Sequence, residues 1–477
     1  MTEFVYWVIE VILLLCALRS RRWAMMVVAF SLPFSRRMPA FPIPLLNYQN
    51  LLFVFTLIAY AVHPKEKGVP GGRVRYVIPL AMLSLFFTAS FINTITTFVP
   101  RMFWRLWDPY DNVLKYKALM MCFIIYVLAS LAVRTRDDLV AVFTAGLAGI
   151  VVESGYTAFE YVVMRPGRVT GHLGEPNSMG AYLACGLVLA FATLLVLPRS
   201  SALWRLALVA MVAAPIALLG TLSRGSYMSA AAGALLLATL IDRRIFAAGV
   251  VVLALSPFWA PQGVKDRFNM TFHAEAQENW RFRDGKGEEG SAVLAMIDQK
   301  LDEKAAEGEI EEGETRLDSS IQTRLVVWEA AFRMMHDYPL GIGFGVFPWY
   351  LQYYSEVVRW KATHNIYLRV GTEAGIPALV VFLFMLIFFL RDAFLLGKSA
   401  TDPVVKAFGY GMLAYLVTLM INAMSIDLFF QIDVNGQFWL FMGALLQVPL
   451  LAPPTAPVQL SPEPGAEGVK PLYELVR

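Results

Sequence analysis

His364 and Asn365 stand at the head of ATHNIYLRVGTEAGIPALV, residues 362–380, where a polar approach turns into an apolar run. An imidazole with a reference pKa of about 6.5 exchanges its proton near neutrality, so a His at that boundary suits general-base work beside lipid head-groups. The plainer reading is a helix cap, but Asn365 serves as a cap without it. Upstream lies Gly341-Ile342-Gly343-Phe344-Gly345, followed by Phe347, Trp349, Tyr350, Tyr353 and Tyr354. The Gly-rich run has neither the preceding strand nor the following helix of a dinucleotide fingerprint and reads as a tight turn against the membrane surface. The aromatic residues fit either an interfacial belt or a sugar-stacking platform. Cys16, Cys122 and Cys185 lie in apolar runs without ligand spacing, which points to neither a disulfide framework nor a zinc site.

The elements that must position these groups are membrane helices. Of 477 residues, 57% are hydrophobic and only 16% charged; the mean hydropathy is +0.56. Soluble domains carry about 25% charged residues, so the expected class is an all-α polytopic membrane protein. Apolar spans fall near 4–18, 22–38, 43–62, 76–98, 113–133, 138–163, 176–197, 203–220, 222–241, 245–260, 365–390, 404–426 and 433–452, which predicts 12–13 transmembrane helices. The first span has an acidic start at Glu3 and no small-residue cleavage site before Arg19, so it reads as a retained anchor. A net charge of +3 is too small to argue for nucleic acid.

Residues 1–260 are expected to form an N-terminal helix bundle, 261–363 a large periplasmic loop, 364–452 the C-terminal membrane helices and 453–477 a cytoplasmic Pro-rich tail. Taken alternately, one set of short loops holds 16 Arg and Lys residues and the opposite set 7. The richer set is cytoplasmic by the positive-inside rule. The long loop, the Gly171–Asn177 loop and the Ser223-Arg224-Gly225 turn then share the other side. Within the long loop, Glu275–Asp318 carries 14 acidic and 6 basic residues and reads as a solvated segment. Over 321–354 an amphipathic helix is expected, with Leu325, Trp328, Ala331, Phe332 and Met335 on one face, and then the aromatic turn.

The ordered set TLSRGS (221–226), RLVVWEAA (324–331), DYPLGIGFG (337–345) and THNIYLRVGTEAGIP (363–377) resembles the O-antigen ligase and polymerase superfamily. Those are bacterial inner-membrane enzymes that move glycans from undecaprenyl diphosphate to an acceptor. GHLGEPN at 171–177 is similar to a loop of that group, and the resemblance spans roughly residues 170–390. It implies that Arg224 and Arg324 clamp the leaving diphosphate, a task for which a planar guanidinium fork is better shaped than Lys. Ser223 and Ser226 would add donors beside the partly positive N-terminus of a helix. His364 would activate the acceptor hydroxyl, and in-line attack on an α-linked lipid diphosphate would invert the anomeric centre.

His172, Glu175, Asn177, Asn365, Trp349 and Tyr350 complete the expected substrate-binding set. Neither a cofactor nor a metal is expected, the diphosphate being neutralised by Arg. The implied partners are an undecaprenyl diphosphate-linked glycan donor, a glycan or glycolipid acceptor, the lipid bilayer and other polysaccharide-assembly proteins. The implied location is the bacterial inner membrane with the site facing the periplasm. A ligase-like transfer is favoured over polymerisation of lipid-linked repeats, although the acidic 275–318 insertion departs from the compact family pattern.

Two other classes make different demands. A transporter of small anions such as inorganic carbon should carry charged residues mid-span and a repeat in its halves. Glu153 and Glu160 share one span, and no repeat is evident. A scaffold of an envelope-assembly complex would need no Arg–His set at all.

Overall fold

The computed structural model describes residues 2–38, 47–63, 74–98, 109–269, 319–355, 358–359 and 361–448, with helices and no strand among them. The expected acidic stretch 275–318 and the Pro-rich tail lie outside the described residues. The helices are α1 (Thr2–Leu18), α2 (Arg21–Ser31), α3 (Tyr48–Val62), α4 (Val77–Asn93), α5 (Pro109–Ala132), α6 (Arg136–Phe159), α7 (Pro176–Val196), α8 (Ala202–Thr221) and α9 (Arg224–Ile241). They continue as α10 (Arg243–Ala254), α11 (Ser256–Trp259), α12 (Gln262–Asn269), α13 (Ser319–Asp337), α14 (Phe347–Tyr354), α15 (Ile366–Glu373), α16 (Ile376–Ser399), α17 (Pro403–Asn422) and α18 (Ile432–Leu445).

Eight helices among the described residues are long and apolar enough to cross a bilayer, among them α7, α8, α9, α16 and α17. The protein is an all-α polytopic membrane protein, the arrangement that satisfies every backbone polar group without water. The expected 12–13 spans include shorter pieces. α1 and α3 are apolar but short. Residues 22–38, 245–260 and 433–452 yield α2 with a following 3₁₀ turn at Pro33, α10 with α11, and α18.

α7 and α17 form the centre, with 72% and 78% of their apolar windows buried. Small residues allow this. Gly411 of α17 packs on Leu189 of α7, and Gly409 meets the backbone of Gly397 on α16. Each central helix is capped by a carboxylate with Pro as its next residue: Glu175 accepts from the amides of Asn177 and Ser178, and Asp402 from those of Val404 and Val405. At the end of the bundle opposite Glu175, Arg136 pairs with Asp402. There too Asp392 accepts from Arg75 at 3.0 Å and from the Tyr76 hydroxyl at 2.6 Å.

The expected span 365–390 is broken in two. α15 ends at Glu373, Gly375 takes φ +94°, and α16 begins at Ile376 with Pro377 in its first turn. Pro lacks the amide an unbroken helix would need there. The Gly341–Gly345 run packs into this corner. Ile342 and Gly343 donate to the carbonyls of Thr372 and Glu373, Ile376 donates to Pro339, and Thr94 Oγ1 donates to the Phe344 carbonyl at 3.0 Å. A Cβ on Gly375 would lie 2.7 Å from the Leu340 oxygen. Gly375→Ala is therefore expected to cost about 1–3 kcal/mol through backbone strain and this clash. A thermal melt of the purified protein in detergent reads the loss; an unchanged midpoint would show the corner to be slack.

Amphipathic α13 buries a face offset from the expected one. Val327, Ala330, Ala331, Met334 and Met335 are buried, whereas Leu325 and Phe332 are 50% and 60% exposed. The reason is its partner: α13 packs on α14 and α15 through Phe347, Leu351 and Leu368, in a cluster separate from the main core.

Candidate functional site

The site is assembled on the turn that follows α17. Asn422 closes that helix, and its side chain meets α9: Ser226 Oγ donates to Asn422 Oδ1 at 3.2 Å, and Asn422 Nδ2 donates to Ser229 Oγ. Ser223 Oγ lies 2.9 Å from Ser226 Oγ. α7 comes close enough that a Cβ on Gly180 would sit 2.6 Å from Ser226 Oγ. Arg224 is the first residue of α9, partly exposed, with one guanidinium nitrogen 3.3 Å from the Arg267 carbonyl of α12.

The next turn residues hold His364. Ile366 donates to the Ala423 carbonyl at 2.9 Å, and Thr363 Oγ1 donates to Asp427 Oδ1 at 3.3 Å. Trp328 Nε1 of α13 donates to the Thr363 carbonyl at 3.1 Å. Asn365 caps α15 through the amides of Tyr367 and Leu368, the capping role the sequence assigns to it. His364 itself has φ +46°. That left-handed conformation is uncommon outside glycine and persists only where neighbours over-determine it, as the bonds on both flanks do here.

His364 is exposed to solvent, between buried Thr363 and Asn365. Desolvation is the largest influence and lowers its pKa below the ordinary 6.5; Asp427 opposes, Arg324 and Lys361 reinforce, and Glu175 opposes. A lowered pKa keeps the imidazole neutral at pH 7, the form that accepts a proton. The same interactions locate the neighbours. Arg324, one turn before Trp328 on α13, and Glu175, at the head of α7, both act on His364. Arg324 and Glu175 therefore each lie within electrostatic reach of His364, and Arg224 begins the helix whose Ser226 meets Asn422, the residue before the Ala423 carbonyl that holds Ile366.

Asn177 joins Glu175 to Arg168: its amide nitrogen donates to Glu175 at 2.9 Å, and its oxygen accepts from Arg168 at 2.9 Å. Arg168 also donates to the Thr221 carbonyl at the end of α8. Arg168 and Arg267 both act electrostatically on Tyr227, so two further guanidinium groups sit beside the Arg224 turn. The sequence alone does not single out Arg168, Arg267 or Lys361, because the partners of each come from separate segments.

Other expected residues pack against the protein. His172 is buried, its Nδ1 2.7 Å from Glu153, its Nε2 3.5 Å from the Tyr6 hydroxyl, and its ring against Phe34 and Tyr156. Trp349 is only 6% exposed, and Tyr350 is half-buried in edge contact with Tyr338. Glu373 pairs with Arg369 at 3.2 Å rather than with His364. The two mid-span carboxylates a transporter would use are engaged in fastening a loop: Glu153 accepts from His172, and Glu160 from the amides of Thr170 and Gly171.

Residues 206–383, which include Arg224, Arg324 and His364, match the family model described as O-antigen ligase. No curated protein gives a significant sequence match.

Proposed function

We propose that the protein, whose residues 206–383 match the O-antigen ligase family model, transfers a glycan from undecaprenyl diphosphate to a sugar hydroxyl of an acceptor, in the manner of a ligase. In this reading residues 1–260 and 364–452 are the membrane bundle, and 261–363 is a large periplasmic loop. Arg224 and Arg324 hold the diphosphate, with Ser223 and Ser226 as neutral donors. His364 takes the proton from the acceptor hydroxyl as that oxygen bonds to the anomeric carbon. The bond from that carbon to the diphosphate breaks, its electron pair leaves with undecaprenyl diphosphate, and the anomeric centre inverts.

One observation carries the proposal. The His364 imidazole, held in a left-handed backbone position with its pKa lowered, shares its electrostatic surroundings with Arg324, Lys361, Glu175 and Asp427. Fixed dipoles and charges aimed at a developing oxyanion are the largest single contribution in most transfer enzymes. Asn177 and Glu175 shape the rim between the helices. The charge asymmetry of the short loops supports placing this rim on the periplasmic side of the inner membrane. Lipid extracts of a deletion strain test the assignment. Full-length chains accumulating on undecaprenyl diphosphate are expected for a ligase. Accumulated single repeats would mean a polymerase, and an unchanged lipid-linked pool would remove the glycan-transfer reading altogether.

A further inference from the structure

The outer platform built by α13 and α14 carries a groove that no step of the transfer uses. Its volume is about 750 Å³, and its lining includes Phe332, Arg333, His336, Asp337, Gln352 and Tyr353. Two flat rings face outward there: Phe332 is 60% and Tyr353 72% exposed. The same lining holds planar polar groups. Asp337 accepts from the Tyr354 hydroxyl at 2.6 Å and contacts His336 Nδ1 at 3.1 Å. These two hydrogen bonds hold its carboxyl below the usual carboxylate range, so it stays a charged acceptor. The walls are fixed because the opposite faces of both helices share the buried cluster of Val327, Ala331, Met334, Phe347 and Leu351.

We propose that this groove is a binding subsite for the polysaccharide chain being transferred, engaging pyranose units remote from the bond that reacts. A pyranose presents an apolar C–H face and a rim of hydroxyls. Exposed aromatic rings offer a matching flat surface, and carboxylate, carboxamide and guanidinium groups offer paired donors and acceptors to neighbouring hydroxyls. An aromatic belt in lipid is the competing explanation for the two rings, but a charged Asp337 and the Arg333 and His336 side chains beside them favour a hydrated ligand. The subsite rests on the glycan-transfer reading and adds to it a grip on chain length. Trp328 joins the same helix to the Thr363 carbonyl, so a chain held in the groove is registered against His364.

The test uses the full-length protein in lipid nanodiscs. With Phe332→Ala and Tyr353→Ala combined, KM for donors bearing many repeats is expected to rise about tenfold, kcat to hold, and a single-repeat donor to be unaffected. Equal KM changes at every chain length, or none, would remove the subsite. In parallel, Tyr353→Cys is labelled with a water-soluble maleimide and compared with the parent protein, whose Cys122 and Cys185 are buried. Surface polysaccharide freed of its lipid by mild acid is expected to slow that labelling. Labelling that ignores the polysaccharide, or fails because the side chain lies in lipid, contradicts the proposal. A His364→Asn variant run alongside separates the two readings. If it still transfers glycan the assigned chemistry is wrong, while polysaccharide protection of the Tyr353→Cys variant from maleimide reports on the groove alone.

Discussion

His364→Asn is expected to slow glycan transfer about a hundred- to ten-thousand-fold, the usual contribution of a positioned general base. Asn tolerates the left-handed backbone that His364 adopts, so the loop keeps its shape and the loss reports on the imidazole. The pH profile gives an independent reading. Because the base must be neutral, kcat/KM should fall as the pH drops through the pKa of His364, which lies below the ordinary 6.5. Asp427 raises that pKa, so Asp427→Asn should move the acidic limb to still lower pH. Single-turnover transfer of a lipid-linked donor across about pH 4.5–8.5, a window of about two units on either side of the reference value, measures both effects. A limb that stays fixed, or moves upward, in Asp427→Asn is incompatible with His364 as the titrating base.

Arg224→Lys and Arg324→Lys should each lower the transfer rate about a hundred- to a thousand-fold. Lysine keeps the positive charge, so a large loss identifies the planar fork rather than net charge as what the diphosphate needs. The double variant should lose less than the product of the single effects, since both guanidinium groups act on one leaving group. Arg199→Lys, in the turn between α7 and α8 at the opposite end of the bundle, is the control and should transfer at the parental rate. Rates of donor consumption with purified variants decide the matter. Near-parental rates for both lysine variants would remove the diphosphate clamp and leave the arginines as boundary residues.

The class of fold is legible in the sequence because its cause is compositional: long apolar helices need no knowledge of their neighbours. The His364–Asn365 start of a helix is legible for a similar reason, since a side chain that caps acts on amides only two and three residues away. The break at Gly375 escapes a sequence reading because apolar residues run through it unchanged, and only the contact with Leu340, far off in the chain, makes the corner necessary. The buried face of α13 is misread from sequence because Leu325, Trp328 and Phe332 form a good stripe by themselves. What decides is the partner, and α14 and α15 receive the smaller Val327, Ala330 and Ala331 instead. Asp427 adjoins His364 through Thr363, a pairing across 64 positions that no local pattern carries.

The loop bearing His364 is stitched to the end of α17, the most thoroughly enclosed of the eight candidate spans. Helices that face acyl chains feel changes in bilayer thickness as tilt and bending, at a fraction of a kcal/mol for each ångström. A helix wrapped almost entirely by protein has little surface on which lipid can pull. The reacting rim is in this way moored to the keel of the molecule, and fluctuations of the surrounding membrane are absorbed by its outer planking.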